Sequence, residues 1–103
     1  MKLKFMQLGK NLETKEDNEK DSWDKVKLKI QEESKELIEA IAENNFLHIA
    51  EEVQDLVQVC IRVFALLKKE NLNLEQLNMR HNRKLVKRGW QHVNIIRIFW
   101  DKL

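Results

Sequence analysis

Two apolar stripes at helical spacing, each interrupted by a carboxylate, constrain this chain more than any other feature. At about 100° per residue, Val26, Ile30, Leu37 and Ile41 fall on one face of a helix, and Glu33 falls among them. Downstream, Ile49, Leu56, Val59, Cys60 and Val63 define a second stripe, and Glu52 lies between its members. Each acid has a companion one turn on, Glu36 after Glu33 and Asp55 after Glu52, with the Cβ atoms of each pair roughly 5–6 Å apart. Burying a carboxylate alone costs several kcal/mol, so these groups must be protonated, salt-bridged or bound to cations.

Four converging acids point to metal. Carboxylate oxygens are hard ligands suited to Mg²⁺ or Mn²⁺, and a cluster of about four negative charges can hold more than one divalent ion. The plainer explanation is a set of solvated helix acids in a chain of which 35% is charged. That explanation suits Glu32, Glu39, Glu43 and Glu51, which face away from the stripes, better than it suits Glu33 and Glu52.

The pattern Glu32-Glu33-x-x-Glu36, a gap of 15 residues, then Glu52-x-x-Asp55 resembles the signature of the MazG-like, all-α nucleoside triphosphate pyrophosphohydrolases, which include dimeric dUTPases and phosphoribosyl-ATP pyrophosphohydrolases. The match keeps its helical phase from about Lys27 to Leu67, with Leu37, Ala40, Ile41 and Leu56 as small and apolar neighbours, and extends more loosely to Gly89. The resemblance implies that Glu33, Glu36, Glu52 and Asp55 are Mg²⁺ ligands and that Glu32 or Glu33 orients or deprotonates the attacking water. It also implies cleavage between the α and β phosphates, releasing a nucleoside monophosphate and pyrophosphate. Spacing alone points to the metal site; only the resemblance specifies that bond.

With 103 residues, 43% of them hydrophobic, the chain has material for one modest core and is expected to need a partner surface. The absence of proline and the presence of only two glycines fit an all-α protein, a small antiparallel helical bundle completed by oligomerisation. A net charge of +2 makes no case for a nucleic acid polymer or a membrane surface, although the C-terminal half is locally basic. No run of about 18 apolar residues and no signal-peptide core stands near Met1, so a cytoplasmic protein is expected. The single cysteine, Cys60, allows no internal disulfide and is expected to pack as a small hydrophobe.

Three parts are expected: residues 1–22 as an N-terminal segment or linker, 23–90 as the helical pyrophosphohydrolase core, and 91–103 as an apolar subunit interface. The charged run from Lys10 to Asp21 reads as a linker or weakly held helix, with Phe5 and Met6 either packing on the bundle or lining a nucleobase pocket. Asp21 or Ser22 caps a first helix ending near Glu43; Asn44-Asn45 breaks it, and one of the pair caps a second helix running to about Glu70. So short a connection makes an antiparallel hairpin, which brings Glu33 and Glu36 opposite Glu52 and Asp55.

Asn73, followed by Gln76, resembles a capping box opening a third helix that Gly89 ends. On it Leu74, Leu77, His81, Lys84, Leu85 and Arg88 share a face, and the basic groups are expected to reach toward the acids. Lys84 and Arg88 are candidate phosphate contacts, the alternative being a snorkelling, solvated basic face. The segment from His81 to Trp90 resembles the downstream part of MazG-like sequences, which makes His81 and Asn82 candidate substrate contacts. As a metal ligand His81 has weaker support than as a hydrogen-bonded structural residue, and His48 and His92 are no better placed. No Glu-x-x-His motif supports a di-iron bundle, and there is no P-loop, dinucleotide turn or nucleophilic triad. The tail Val93, Ile95, Ile96, Ile98, Phe99, Trp100 and Leu103 is apolar on too many sides to remain in water, and a two-fold dimer or a tetramer would cover it. Trp23, Trp90, Phe46 and Phe64 read as core or interface residues before nucleobase platforms. The competing function class is a non-hydrolytic nucleotide-binding or helical interaction module.

Overall fold

The computed structural model describes residues 1–101. Three α-helices carry the fold: α1 (Trp23–Glu43), α2 (Phe46–Lys69) and α3 (Leu74–Lys87), preceded by a 3-10 turn at Asn18–Lys20. No strand occurs among the described residues, so the all-α expectation holds. The chain forms two compact units, residues 1–72 and the segment from Asn73 onward.

In the first unit, Ser22 rather than Asp21 caps α1: its extended backbone lets the hydroxyl accept from the Lys25 N–H at 3.2 Å. The helix ends at Asn44, whose left-handed φ of 57° is one that asparagine tolerates, and whose N–H donates to the Ile41 carbonyl at 3.0 Å. Asn45 then caps α2, its Oδ1 accepting from the His48 N–H at 3.2 Å. The two asparagines thus divide the work, one stopping α1 and the other starting α2. With so short a turn the helices fold back and pack along each other.

Val26 and Ala40 of α1 and Val59 and Leu66 of α2 are buried, and Val63 packs against Val26, Val59 and Leu66. Both apolar stripes are wider than the seam they make. Ile30 and Ile41 were expected in the core but lie at its margin, Ile41 being 55% exposed, and Cys60 is exposed rather than packed. One helix covers only the middle of another's apolar face; the flanks need a third surface. Trp23, Phe46 and Phe64 are exposed for the same reason.

The N-terminal segment is not helical. Asn11 Oδ1 accepts from the N–H groups of Glu13 (2.9 Å) and Thr14 (3.1 Å), and the backbones of Lys10 and Asp17 pair in an isolated antiparallel bridge. Asp17 Oδ1 in turn accepts from the Glu19 N–H, opening the 3-10 turn. Such side-chain caps offer the backbone an alternative to helix, which is why the charged run closes into a turn. Contacts that tie it to α2 include Arg62 to Asp21 by two hydrogen bonds of 2.8 and 2.6 Å, Lys69 Nζ to the Glu19 carbonyl at 2.9 Å, and Gln58 Nε2 to the Met6 carbonyl. Phe5 is half-buried and Met6 is exposed.

In the second unit, Asn73 Oδ1 accepts from the Gln76 N–H at 3.1 Å and starts α3. Its C-terminus is a Schellman arrangement: the Trp90 N–H reaches the Leu85 carbonyl at 3.1 Å and the Gly89 N–H reaches Val86 at 3.0 Å. Gly89 supplies the φ of 91° that this closure needs. Beyond it no regular structure forms among the described residues. Trp90, Val93, Ile96, Ile98 and Phe99 are exposed, Phe99 by 78%. Leu103 lies outside the described residues.

Candidate metal centre

The first-unit hairpin brings acids from both helices to one place. Glu33 and Glu36 are one turn apart on α1, and Ala40 follows one turn further on the same face. Ala40 is fully buried on the helix that packs along α2. Glu33, Glu36 and Glu52, all half-buried, each present an oxygen within 4.8 Å of the others. Asp55 is exposed and stands outside that set of three, yet its negative charge still raises the pKa of both Glu33 and Glu52. Glu32 is turned outward, paired with Lys29 at 3.3 Å.

Crowding has the electrostatic consequence expected of like charges in a partly desolvated site. Burial first, then the hydrogen bond and charge of Glu36, then Asp55 and Glu32, push Glu33 up to about 7. Glu52 is raised as well, by burial, Glu36 and Asp55, with His48 opposing. The Oε2 atoms of Glu33 and Glu52 are buried without a hydrogen-bond partner. A buried, unsatisfied carboxylate oxygen is rare enough to need a reason. Hard oxygen donors from two helices, facing one another with two oxygens unspent, fit a divalent cation of the Mg²⁺ class.

His48 was not expected here. It stands on the first turn of α2, one turn before Glu52, and its Nε2 lies 3.2 Å from Glu52 Oε1. Its Nδ1 lies 3.1 Å from Oε2 of Glu43, the last residue of α1. The Glu43 hydrogen bond raises the His48 pKa most, against a smaller effect of burial, with the charges of Glu43 and Glu52 adding to it. The i,i+4 spacing of His48 and Glu52 was the available signal in the sequence. What hid it was Glu43, which faces away from the apolar stripe and reaches the ring only because the interhelical turn is so short.

The candidate phosphate and substrate contacts belong to the second unit. His81, Asn82 and Lys84 are exposed on α3 and Arg88 is its exposed C-cap residue. No described helix is long and apolar enough to cross a membrane.

These features define an all-α protein whose helical hairpin carries a cluster of three carboxylates drawn from both helices. The model of the MazG nucleotide pyrophosphohydrolase domain matches residues 22–93, and the chain belongs to that family. No curated protein and no solved structure matches it.

Proposed function

We propose that this protein is a nucleoside triphosphate pyrophosphohydrolase, dependent on Mg²⁺ or Mn²⁺, that cleaves between the α and β phosphates. The observation that carries this reading is the meeting of Glu33, Glu36 and Glu52 across the α1/α2 seam with two buried oxygens unpartnered.

Glu33, Glu36 and Glu52 hold the cation, with Asp55 completing the negative field around it. A bound divalent cation supplies charge neutralisation for the phosphate oxygens and makes a nearby water more acidic. A triphosphate carries about four negative charges near neutral pH, and four carboxylates would repel it without that neutralisation. Glu33 is the better candidate for accepting the water's proton, because it faces the cluster whereas Glu32 is turned outward and occupied with Lys29.

Assembly belongs to the same reading. Ile38, Ile41, Phe46 and Leu47 are exposed on the hairpin, whose buried core among the described residues is small: Val26, Ala40, Val59 and Leu66. A second copy of this chain, as a dimer or tetramer, would cover them. Nucleoside triphosphates and free Mg²⁺ coexist in the cytoplasm, which is the proposed setting.

The test is pyrophosphate release from a panel of ribo- and deoxynucleoside triphosphates with Mg²⁺ or Mn²⁺, using Glu52→Gln as control. Metal-dependent release that the substitution abolishes supports the enzyme. No release from any member by folded, metal-loaded protein turns the reading to a non-hydrolytic nucleotide-binding module.

A further inference from the structure

Resting on the metal-site reading above, we infer that His48, anchored by Glu43, is a positioning residue that sets the orientation of the Glu52 carboxylate in the cation site.

The geometry divides Glu52 into two functional halves. Oε1 is engaged by His48 Nε2 at 3.2 Å, while Oε2 is buried and has no hydrogen-bond partner. An ionised carboxylate can only accept, so the ring nitrogen donates. Fixing one oxygen from behind leaves the other free for a cation. The ring is itself held from the far side, by Glu43 Oε2 at 3.1 Å from Nδ1. The resulting chain, Glu43 to His48 to Glu52, runs from the last residue of α1 through the first turn of α2 into the site. It makes the Glu52 rotamer depend on the interhelical turn.

The placement is a poor one for helix stability alone. A carboxylate in the last turn of α1 faces the negative end of that helix's dipole. That turn carries no basic residue to offset it. Glu43 is placed where it holds the His48 ring, at the expense of the end of α1. Partners of metal-ligating groups commonly work this way, fixing the ligand before the ion arrives.

The experiment is a Mn²⁺ titration of the metal-free protein, read by loss of the free-ion electron paramagnetic resonance signal, beside circular dichroism. His48→Ala should weaken Mn²⁺ binding about 10- to 100-fold while the helical spectrum persists. His48→Gln, whose amide nitrogen can take the place of Nε2, should restore most of that affinity. Glu43→Gln should weaken binding in the wild-type background and add nothing in the His48→Ala background, the signature of residues acting in series. A general packing role for His48 would lower stability without that pattern. Wild-type Mn²⁺ affinity in His48→Ala overturns the inference and leaves the metal site standing. If wild-type protein itself binds no Mn²⁺, the metal site fails and the inference with it. Should His48→Ala not fold, Glu43→Gln decides, and unchanged affinity in that variant overturns the inference.

Discussion

Glu33 on α1 and Glu52 on α2 each bury an Oε2 atom with no hydrogen-bond partner, and Glu36 raises the pKa of both. In the metal-free protein this arrangement is a liability, because desolvation and like-charge repulsion add rather than cancel. A fold organised only for stability would fill the same seam with leucine.

Removing one charge should therefore separate stability from activity. Glu52→Gln keeps the shape and deletes the repulsion, so the metal-free variant should melt at a higher temperature than wild type. Its melting temperature should no longer climb with added Mg²⁺, whereas the wild-type value should rise by mass action on the folded state. Pyrophosphate release should fall to background. Differential scanning fluorimetry across millimolar Mg²⁺ checks the first two outcomes, and a wild-type curve that stays flat would refute the cation site.

The raised pKa of Glu33 fixes the sign of a pH dependence. Its folded-state value is about 7 against an ordinary 4.5, so between those values the folded protein retains a proton that the unfolded chain has released. Metal-free stability contributed by this group is then fully present below about pH 4.5 and is lost as pH rises toward 7. The shifts of Glu52 and His48 are also upward and act with the same sign. Urea denaturation at pH 5 and pH 8 should show the loss, and the difference between wild type and Glu33→Gln isolates the contribution of Glu33. Cation binding must displace that proton, so Mn²⁺ affinity should increase from pH 5 to 7 and then level off.

Arg62 and Asp21 tie the N-terminal segment to α2. Two charge-assisted hydrogen bonds meet on an Asp21 side chain that is only 3% exposed. Arg62→Ala would strand a buried carboxylate, at about 2–3 kcal/mol given that Arg62 keeps some solvent contact. A double substitution, Asp21→Asn with Arg62→Met, removes both charges and should recover part of that loss in the same urea titration. If the single variant matches wild type, the N-terminal segment is not held by this pair.

The helices were legible in the sequence because their signals are local. Ser22, Asn45 and Asn73 each cap a helix through an atom three residues downstream, and Gly89 supplies a backbone angle that other residues resist. The carboxylate cluster was legible for a related reason: an acid inside an apolar stripe is costly, and that cost shows in one helix at a time. What the stripes could not show was their coverage. Ile41 and Cys60 match the period of their helices and still lie outside the seam, since period fixes direction while burial depends on what stands opposite. His48 shows the same limit from the polar side. Its contact with Glu43 spans a helix boundary, where neither helical period reaches. In the N-terminal run, Asn11 and Asp17 bind nearby backbone N–H groups and overrule the helix-forming composition around them.

Ala40 offers the sharpest test of how the fold serves the site. It shares a face with Glu33 and Glu36 and is fully buried on the helix that packs along α2, so a larger side chain there should push the helices apart beside the acids. Ala40→Leu should overpack the seam, costing about 1–3 kcal/mol, and should move Glu52 away from its partners on α1, weakening Mn²⁺ binding. Ala40→Gly makes the informative comparison. It costs about 1 kcal/mol through helix propensity yet adds no volume, so it should lower the melting temperature while leaving Mn²⁺ affinity near wild type. Calorimetric Mn²⁺ titrations of the two variants, matched for folded fraction, measure the contrast. Equal affinity in both would mean that the helix spacing at residue 40 does not control the carboxylate geometry, and that the acids adjust through their own rotamers instead.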